Sequence, residues 1–433
     1  MLALAIPAIG TLVADPLLGA VDTAVAGRVG TVELGALGFA VAVLGAFTWI
    51  FNFLVYGTTA SVARAIGGGD RRSAGARVAH AGIVALVLGT LGALLLGLGA
   101  PFIVQAFGAA QSLVDPAVEY LRIRAVGIPF VLLAFVGHGA FRGVQDTRTP
   151  LLVVVGANVL NGALDLVLVF VFDFGLAGIA WATVAAEVAA VVLLALLLRR
   201  AGLPLAGHGL PDRARVRSLV AVSRDLFLRT GGLVVGLLLV SAAGARAGAD
   251  TAAGHQVLWQ LWILLALLLD GFAIAAQAMI GTTLGARDHE AARADARALL
   301  IWGTGAGVLL ALVLLPLRAP IVGLFTDDPA VLSVTAGGAW ALAMGGQALG
   351  GVVFVLDGIL MGASDFAYLR TWTLLAAVPA GIFAQVAVGA GGGLVWLWLA
   401  IDLMLVVRAV SLLARVRGTA WLTAGDALEG AQA

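Results

Sequence analysis

Apolar runs of eighteen residues or more recur from one end of this 433-residue chain to the other. Each has the length at which a helix crosses the hydrocarbon of a bilayer. Strands of a membrane barrel would show short alternating segments instead, and the sequence has none of that pattern. A chain that is 62% hydrophobic and 11% charged, with mean hydropathy +1.08, carries too little charge to cover a water-facing surface. The expected fold class is therefore an all-α polytopic membrane protein with about twelve transmembrane helices. They are predicted near 2–27, 34–60, 78–104, 116–142, 150–172, 175–199, 219–246, 253–282, 296–318, 331–361, 368–389 and 392–414. The N-terminus enters an apolar helix at once, without the charged region of a cleavable signal.

All 25 basic residues are arginine, and their placement sets an orientation. Connections after even-numbered helices, with the C-terminal tail, hold Arg64, Arg71, Arg72, Arg77, Arg142, Arg148, Arg199, Arg200, Arg213, Arg215, Arg217, Arg287, Arg293, Arg297, Arg370, Arg415 and Arg417. The opposite side keeps Arg28, Arg122, Arg124, Arg246 and Arg318. This bias places both termini and the central loop in the cytoplasm of a bacterial inner membrane. The polar connection divides the chain into an N-lobe (1–200, helices 1–6), an inter-lobe loop (201–218), a C-lobe (219–415, helices 7–12) and a tail (416–433).

The two halves read as repeats. Gly30 pairs with Gly248, Gly67-Gly-Gly-Asp70 with Gly285-Ala-Arg-Asp288, Asp115-Pro-Ala-Val118 with Asp328-Pro-Ala-Val331, and Gly139-Ala-Phe-Arg-Gly143 with Gly358-Ile-Leu-Met-Gly362. An even number of helices per half gives both the same topology, so two pseudo-symmetric six-helix lobes around a central cavity are expected.

Polar residues inside hydrocarbon are costly and mark function by default. Asn158, Asn161 and Asp165 form one stripe on predicted helix 5, and Asp22 lies near the end of helix 1. Thr183, two turns into helix 6, falls at the same depth. Two carboxyls facing one desolvated pocket are a place for a proton, while two carboxylates, two amides and a hydroxyl also make an oxygen shell for Na⁺. The residues leave both open, as they leave the plainer reading of interhelical hydrogen-bond glue. Asp15, seven residues before Asp22, and Glu187, four after Thr183, are accessory candidates. Pro7 and Pro16 predict bends in helix 1.

At this point the chain resembles a family. Val21-Asp-Thr-Ala-Val-Ala-Gly27 followed by Gly30 resembles the first-helix signature of multidrug and toxic compound extrusion (MATE) transporters. Gly139-Ala-Phe-Arg-Gly-Val-Gln-Asp-Thr-Arg-Thr-Pro150 is similar to that family's helix 4–5 connection, and the Asn158–Asn161–Asp165 stripe with Thr183 to its N-lobe cation cluster. Ser223-Arg-Asp-Leu-Phe-Leu-Arg-Thr230 and Leu269-Asp-Gly-Phe-Ala273 resemble the DinF-like branch. The resemblance implies export of organic, often cationic compounds driven by H⁺ or Na⁺, with Asp22, Asn161, Asp165 and Thr183 as the coupling site and the Na⁺ ligands if Na⁺ is used. Asn158 is a weaker member, and Asp15 is not part of the matched pattern.

In the second half, Asp225 and Arg229 stand in the acid-first order of a helical ion pair, with an Arg229–Asp270 pair across helices as a further expectation. Gln256, Trp259 and Gln260 share a helix face and, with Asp270, Gln347 and Asp357, are candidates to line a substrate cavity; Trp259 beside amides suits flat cations. Interfacial anchoring accounts for Trp259 equally well.

No cysteine is present, and the five histidines lack metal-ligand spacing, so no cofactor beyond the coupling ion is expected. The net charge of +1 gives no sign of nucleic acid, and no Walker A pattern supports ATP drive. The expected partners are small organic substrates and the lipid bilayer, with the protein as a monomer. A lipid-linked saccharide flippase would favour a cationic cavity, whereas the arginines here fall mostly in connections. A membrane transferase would need acidic metal motifs, and the one adjacent acidic pair, Asp327-Asp328, reads as a helix start before Pro329.

Overall fold

The computed structural model describes residues 1–106, 110–209 and 213–426, without the side chains at 15–18, 214–215 and 218–219. Among the described residues every regular element is helical. Twelve helical segments are long and apolar enough to cross a membrane: Leu2–Val29, Thr31–Gly67, Arg71–Ala106, Gln111–Gly143, Arg148–Phe170, Gly175–Arg200, Val220–Arg246, Ala249–Gly285, His289–Val322, Gly338–Gly362, Phe366–Gly389 and Leu394–Arg417. They are numbered spans 1 to 12.

One predicted helix is divided. The sequence pattern runs unbroken over 331–361, but the chain forms a short helix, Pro329–Val334, and begins span 10 only at Gly338. Asp328 caps the short helix by accepting from the Ala330 N–H at 2.8 Å. Gly337, at φ +60°, then turns the chain in a conformation that costs glycine little. The repeat partner of this motif, Asp115-Pro-Ala-Val118, lies inside the continuous span 4.

The chain divides into two compact units, Ile6–Asp212 and Arg213–Ala433, the latter joined by Met1–Ala5. In the first unit span 4 is central: spans 2, 3 and 6 pack on it, and span 5 packs on span 6. In the second, spans 8, 9 and 12 pack on span 10, while span 11 joins spans 7 and 12.

Lipid tails are as apolar as leucine, so hydrophobicity alone does not hold such helices together; close packing across small residues does. An added Cβ at Gly139 would lie 2.7 Å from the Val55 carbonyl oxygen, and one at Gly143 3.0 Å from that of Thr59, so span 4 rests on span 2 backbone to backbone. Span 10 repeats the device against span 8: a Cβ at Gly358 would fall on the Ala273 carbonyl, and one at Gly362 would lie 2.6 Å from that of Gln277. The connecting turns repeat as well. Gln145 and Ser364, each two residues past the last glycine of its motif, both take φ +61°. Asp70 and Asp288 each cap the following helix, accepting at 2.8 Å from the N–H of Ser73 and of Ala291. These matched turn and glycine motifs thus build matched backbone, whereas the Asp-Pro-Ala-Val pair does not.

Candidate functional site

Within the first unit, spans 1, 5 and 6 bring Asp22, Asn161, Asp165 and Thr183 together, all four buried. The i, i+4 spacing puts Asn161 and Asp165 on one face of span 5, and neither exposes any surface. Asn161 is the hub. In the amide orientation that matches donors to acceptors, its Nδ2 donates to Asp22 Oδ1 at 3.0 Å, and its oxygen accepts from the Thr183 backbone N–H at 3.1 Å. Thr183 Oγ1 lies 3.3 Å from the amide and donates to the Ile179 carbonyl at 2.9 Å. A turn further along, Asn158 Nδ2 donates to the Ala14 carbonyl at 3.0 Å, a second tie from span 5 to span 1. Asp15 lies outside the described residues as far as its side chain is concerned.

Asp165 differs from its neighbours. Among the described residues neither carboxyl oxygen receives an N–H or O–H donor, yet both are shut from solvent. Its polar neighbour is another carboxyl, that of Asp22, within hydrogen-bond reach. Two carboxylates meet in a dry site only with a proton or a cation between them, because each alone is expensive to desolvate and the two repel.

One arginine from the sparsely charged side of the sequence belongs beside this site. Arg124 of span 4 grips Glu187 of span 6 in a two-pronged ion pair at 2.9 and 2.7 Å. Glu187 is thus committed to Arg124, and both partners lie close enough to act electrostatically on Asp22. Tyr120, buried one turn before Arg124, falls in the same electrostatic neighbourhood. Gly127 leaves the space the pair occupies, since a Cβ there would meet both Glu187 and Arg124. The spacing of Tyr120, Arg124 and Gly127 on one face of span 4 was the available signal.

The family model for MatE matches residues 7–167 and 233–387. The chain belongs to the MatE family. It is 33% identical over 431 residues to Protein DETOXIFICATION 44, chloroplastic, of Arabidopsis thaliana, covering 95% of this chain and 80% of that one. It is 31% identical over 418 residues to DNA damage-inducible protein F of Escherichia coli strain K12, covering 95% and 90%. A solved multidrug resistance MATE family transporter in its outward-facing conformation shares the fold, with TM-score 0.84 at 20% identity over 100% of this chain and 96% of that one. Members of the MATE family are transporters, not enzymes.

The second unit of this MATE protein holds a different set of buried charges. Arg229 of span 7 reaches Asp357 of span 10 at 2.5 Å, and Arg408 of span 12 reaches the same carboxyl oxygen. The expected Asp225–Arg229 helical pair does not form: Asp225 accepts from Arg370 of span 11 at 2.6 Å and from Arg224 at 2.9 Å. Arg229 lies deeper, where a fully desolvated guanidinium is held by the buried carboxylate of the facing helix. Asp357 is therefore the centre of an ion-pair core, and Gln347 is buried with its amide on the Ala343 carbonyl at 3.0 Å. Gln256 and Gln260 are exposed on span 8, Trp259 is half-buried and stacks on Trp262, and Asp270 is half-buried. Among the described residues no group of three or more His, Cys, Asp or Glu side chains converges as a metal site.

Proposed function

We propose that this MATE protein is a proton-coupled exporter of organic, cationic or amphipathic compounds, with the Asp22–Asp165 pair as its proton site. The observation that carries the reading is the acid–acid contact: two buried carboxyls share a site where one of them receives no donor from the protein. A fold needing only polar glue would satisfy Asp165 with an amide or a hydroxyl, as it satisfies Asn158. The orientation of Asn161 favours a proton over Na⁺. With the amide turned so that donors meet acceptors, its NH₂ group faces Asp22 and its oxygen meets the Thr183 N–H, so the pocket would present a donor where a sodium ion needs a further oxygen.

Span 1 is tied to span 5 through Asp22 and Ala14. Protonation changes what the Asp22–Asp165 contact is worth and so biases the position of span 1, which is how occupancy would reach the transport cycle. The Arg124–Glu187 pair holds spans 4 and 6 rigid beside it. The arginine bias supports an orientation with both termini in the cytoplasm, and the Escherichia coli relative supports a bacterial inner membrane. The test is efflux of a fluorescent organic cation from loaded right-side-out vesicles under an imposed ΔpH or an imposed ΔNa⁺. The reading requires ΔpH alone to drive wild-type efflux and Asp22→Asn to be inert; drive by ΔNa⁺ without ΔpH overturns it.

A further inference from the structure

Beyond the coupling site, the second unit carries a cleft of about 420 Å³ between the first turns of span 9 and the last turns of span 12. Three guanidinium groups line it: Arg293 and Arg297, one turn apart on span 9, and Arg417, the last residue of span 12. Among the described residues none of the three pairs with a carboxylate. Arg415, two residues from Arg417, shows the contrast, since it is bound to Asp365 at 2.7 Å and lies over the Tyr368 ring. Asp295 of span 9 belongs to another neighbourhood, that of Asp288 and the Met1 amino group. Among the described residues the cleft therefore gathers three positive charges with no carboxylate paired to them.

Its other walls are apolar. Leu300, Leu413 and Val416 line it, and Trp421 is fully buried at its edge with its indole N–H on the Val416 carbonyl at 2.9 Å. Spans 9 and 12 both pack on span 10 rather than extensively on each other, which is what leaves the cleft between them. The helix rows that hold the arginines continue into exposed aliphatic side chains: Ile301 and Val308 beyond Arg297, Val410 and Val406 before Arg417. A ligand that fits has a phosphate for the arginines, which guanidinium groups bind in a planar two-point contact, and a hydrocarbon tail for the rows beneath.

We propose that this cleft holds the head group of an anionic phospholipid, the acyl chains lying along spans 9 and 12. Charge complementarity selects the anionic lipid over a zwitterionic one, and the continuous apolar rows select a lipid over a free phosphate ion.

Native mass spectrometry of the full-length protein tests this, after equilibration with phosphatidylglycerol, with phosphatidylethanolamine or with inorganic phosphate. Wild type should retain phosphatidylglycerol in preference to phosphatidylethanolamine and release it at high ionic strength. Arg293→Gln/Arg297→Gln/Arg417→Gln should lower that affinity roughly a hundredfold, at about fivefold per arginine, while Arg200→Gln, an exposed arginine elsewhere, should not. Equal retention of the two lipids, or unchanged retention by the triple variant, overturns the proposal. Competition by inorganic phosphate at equal concentration overturns the lipid as occupant. Should the triple variant fail to fold, lipid preference and salt release in the wild type, with the three single variants, decide the matter alone.

Discussion

Replacing Asp165 by asparagine separates coupling from folding. Two like charges about 4 Å apart repel by about 4 kcal/mol at an effective dielectric near 20, so under the proposed function the Asp22–Asp165 contact in the wild type depends on a bound proton. The substituted amide would present an NH₂ group to Asp22 in place of an unpartnered carboxyl. A hydrogen bond to a charged group contributes about 1.5–3 kcal/mol, so the contact persists with nothing bound and is held in one state. The variant should insert normally and unfold no more readily than the wild type. In proteoliposomes a gradient of one pH unit supplies about 1.4 kcal/mol per proton, enough for roughly a tenfold substrate ratio in one-for-one exchange. Wild type should approach that ratio. Asp165→Asn should stay near unity while still exchanging labelled for unlabelled substrate down its gradient. A variant that builds the wild-type ratio under ΔpH would refute the assignment of Asp165, and a variant that fails to fold would refute the claim that the carboxyl is there for transport.

Three further outcomes follow from the packing. Glu187→Gln leaves Arg124 buried without a counter-charge and should destabilise the protein by about 3–5 kcal/mol, read as a lowered melting temperature in detergent; Arg124→Leu added to it should restore much of the loss. Asn161→Ala removes the donor to Asp22 and should cost about 1–3 kcal/mol while weakening ΔpH-driven efflux, whereas Asn158→Ala should lower stability and leave the response to ΔpH intact. Gly358→Ala forces a methyl group onto the Ala273 carbonyl and should cost about 1–3 kcal/mol or more, while Gly345→Ala, with nothing within 4 Å of the added group, should be neutral or slightly stabilising in thermal unfolding.

The number of spans was legible because each apolar run is long and charge-free, and the turn motifs were legible because glycine and aspartate perform fixed backbone tasks there. The break before span 10 was not: the pattern over 331–361 stays apolar across it, and the stop lies in a single positive-φ glycine among many glycines. The stripe of Asn158, Asn161 and Asp165 was visible as spacing on one helix. Its partners on other helices came from family resemblance and depth, since no periodicity links Asp22 to Asp165. Arg124 escaped because an arginine beside Arg122 in the first half of a helix reads as a flank. What marks it is the facing Glu187, sixty-three residues away. The same reason hid the Arg229–Asp357–Arg408 core, in which each member comes from a different span.

The repeat itself argues that the acidic pair is not demanded by the fold. Gly30 with Gly248 and Gly69 with Arg287 fix an offset of 218 over the first spans of each half, and Gly143 with Gly362 and Gln145 with Ser364 fix 219 from there on, through matched sequence and matched turns. At those offsets the partners of Asp22, Asn161, Asp165 and Thr183 are Val240, Ala380, Ala384 and Asp402. Val240, Ala380 and Ala384 are buried in the apolar core of the second unit. The same helices therefore assemble in the second unit with hydrocarbon where the first unit spends two desolvated carboxyls and an amide. Structural necessity would act on both copies alike. Their restriction to one copy is what a single ion-responsive unit requires, and it yields a sharp expectation: replacing Asp165 with alanine, the residue of its repeat partner, should abolish ΔpH-driven export while the protein still inserts and folds. Loss of the folded protein on that substitution, with Asp165→Asn fully active, would show that the pair serves packing instead.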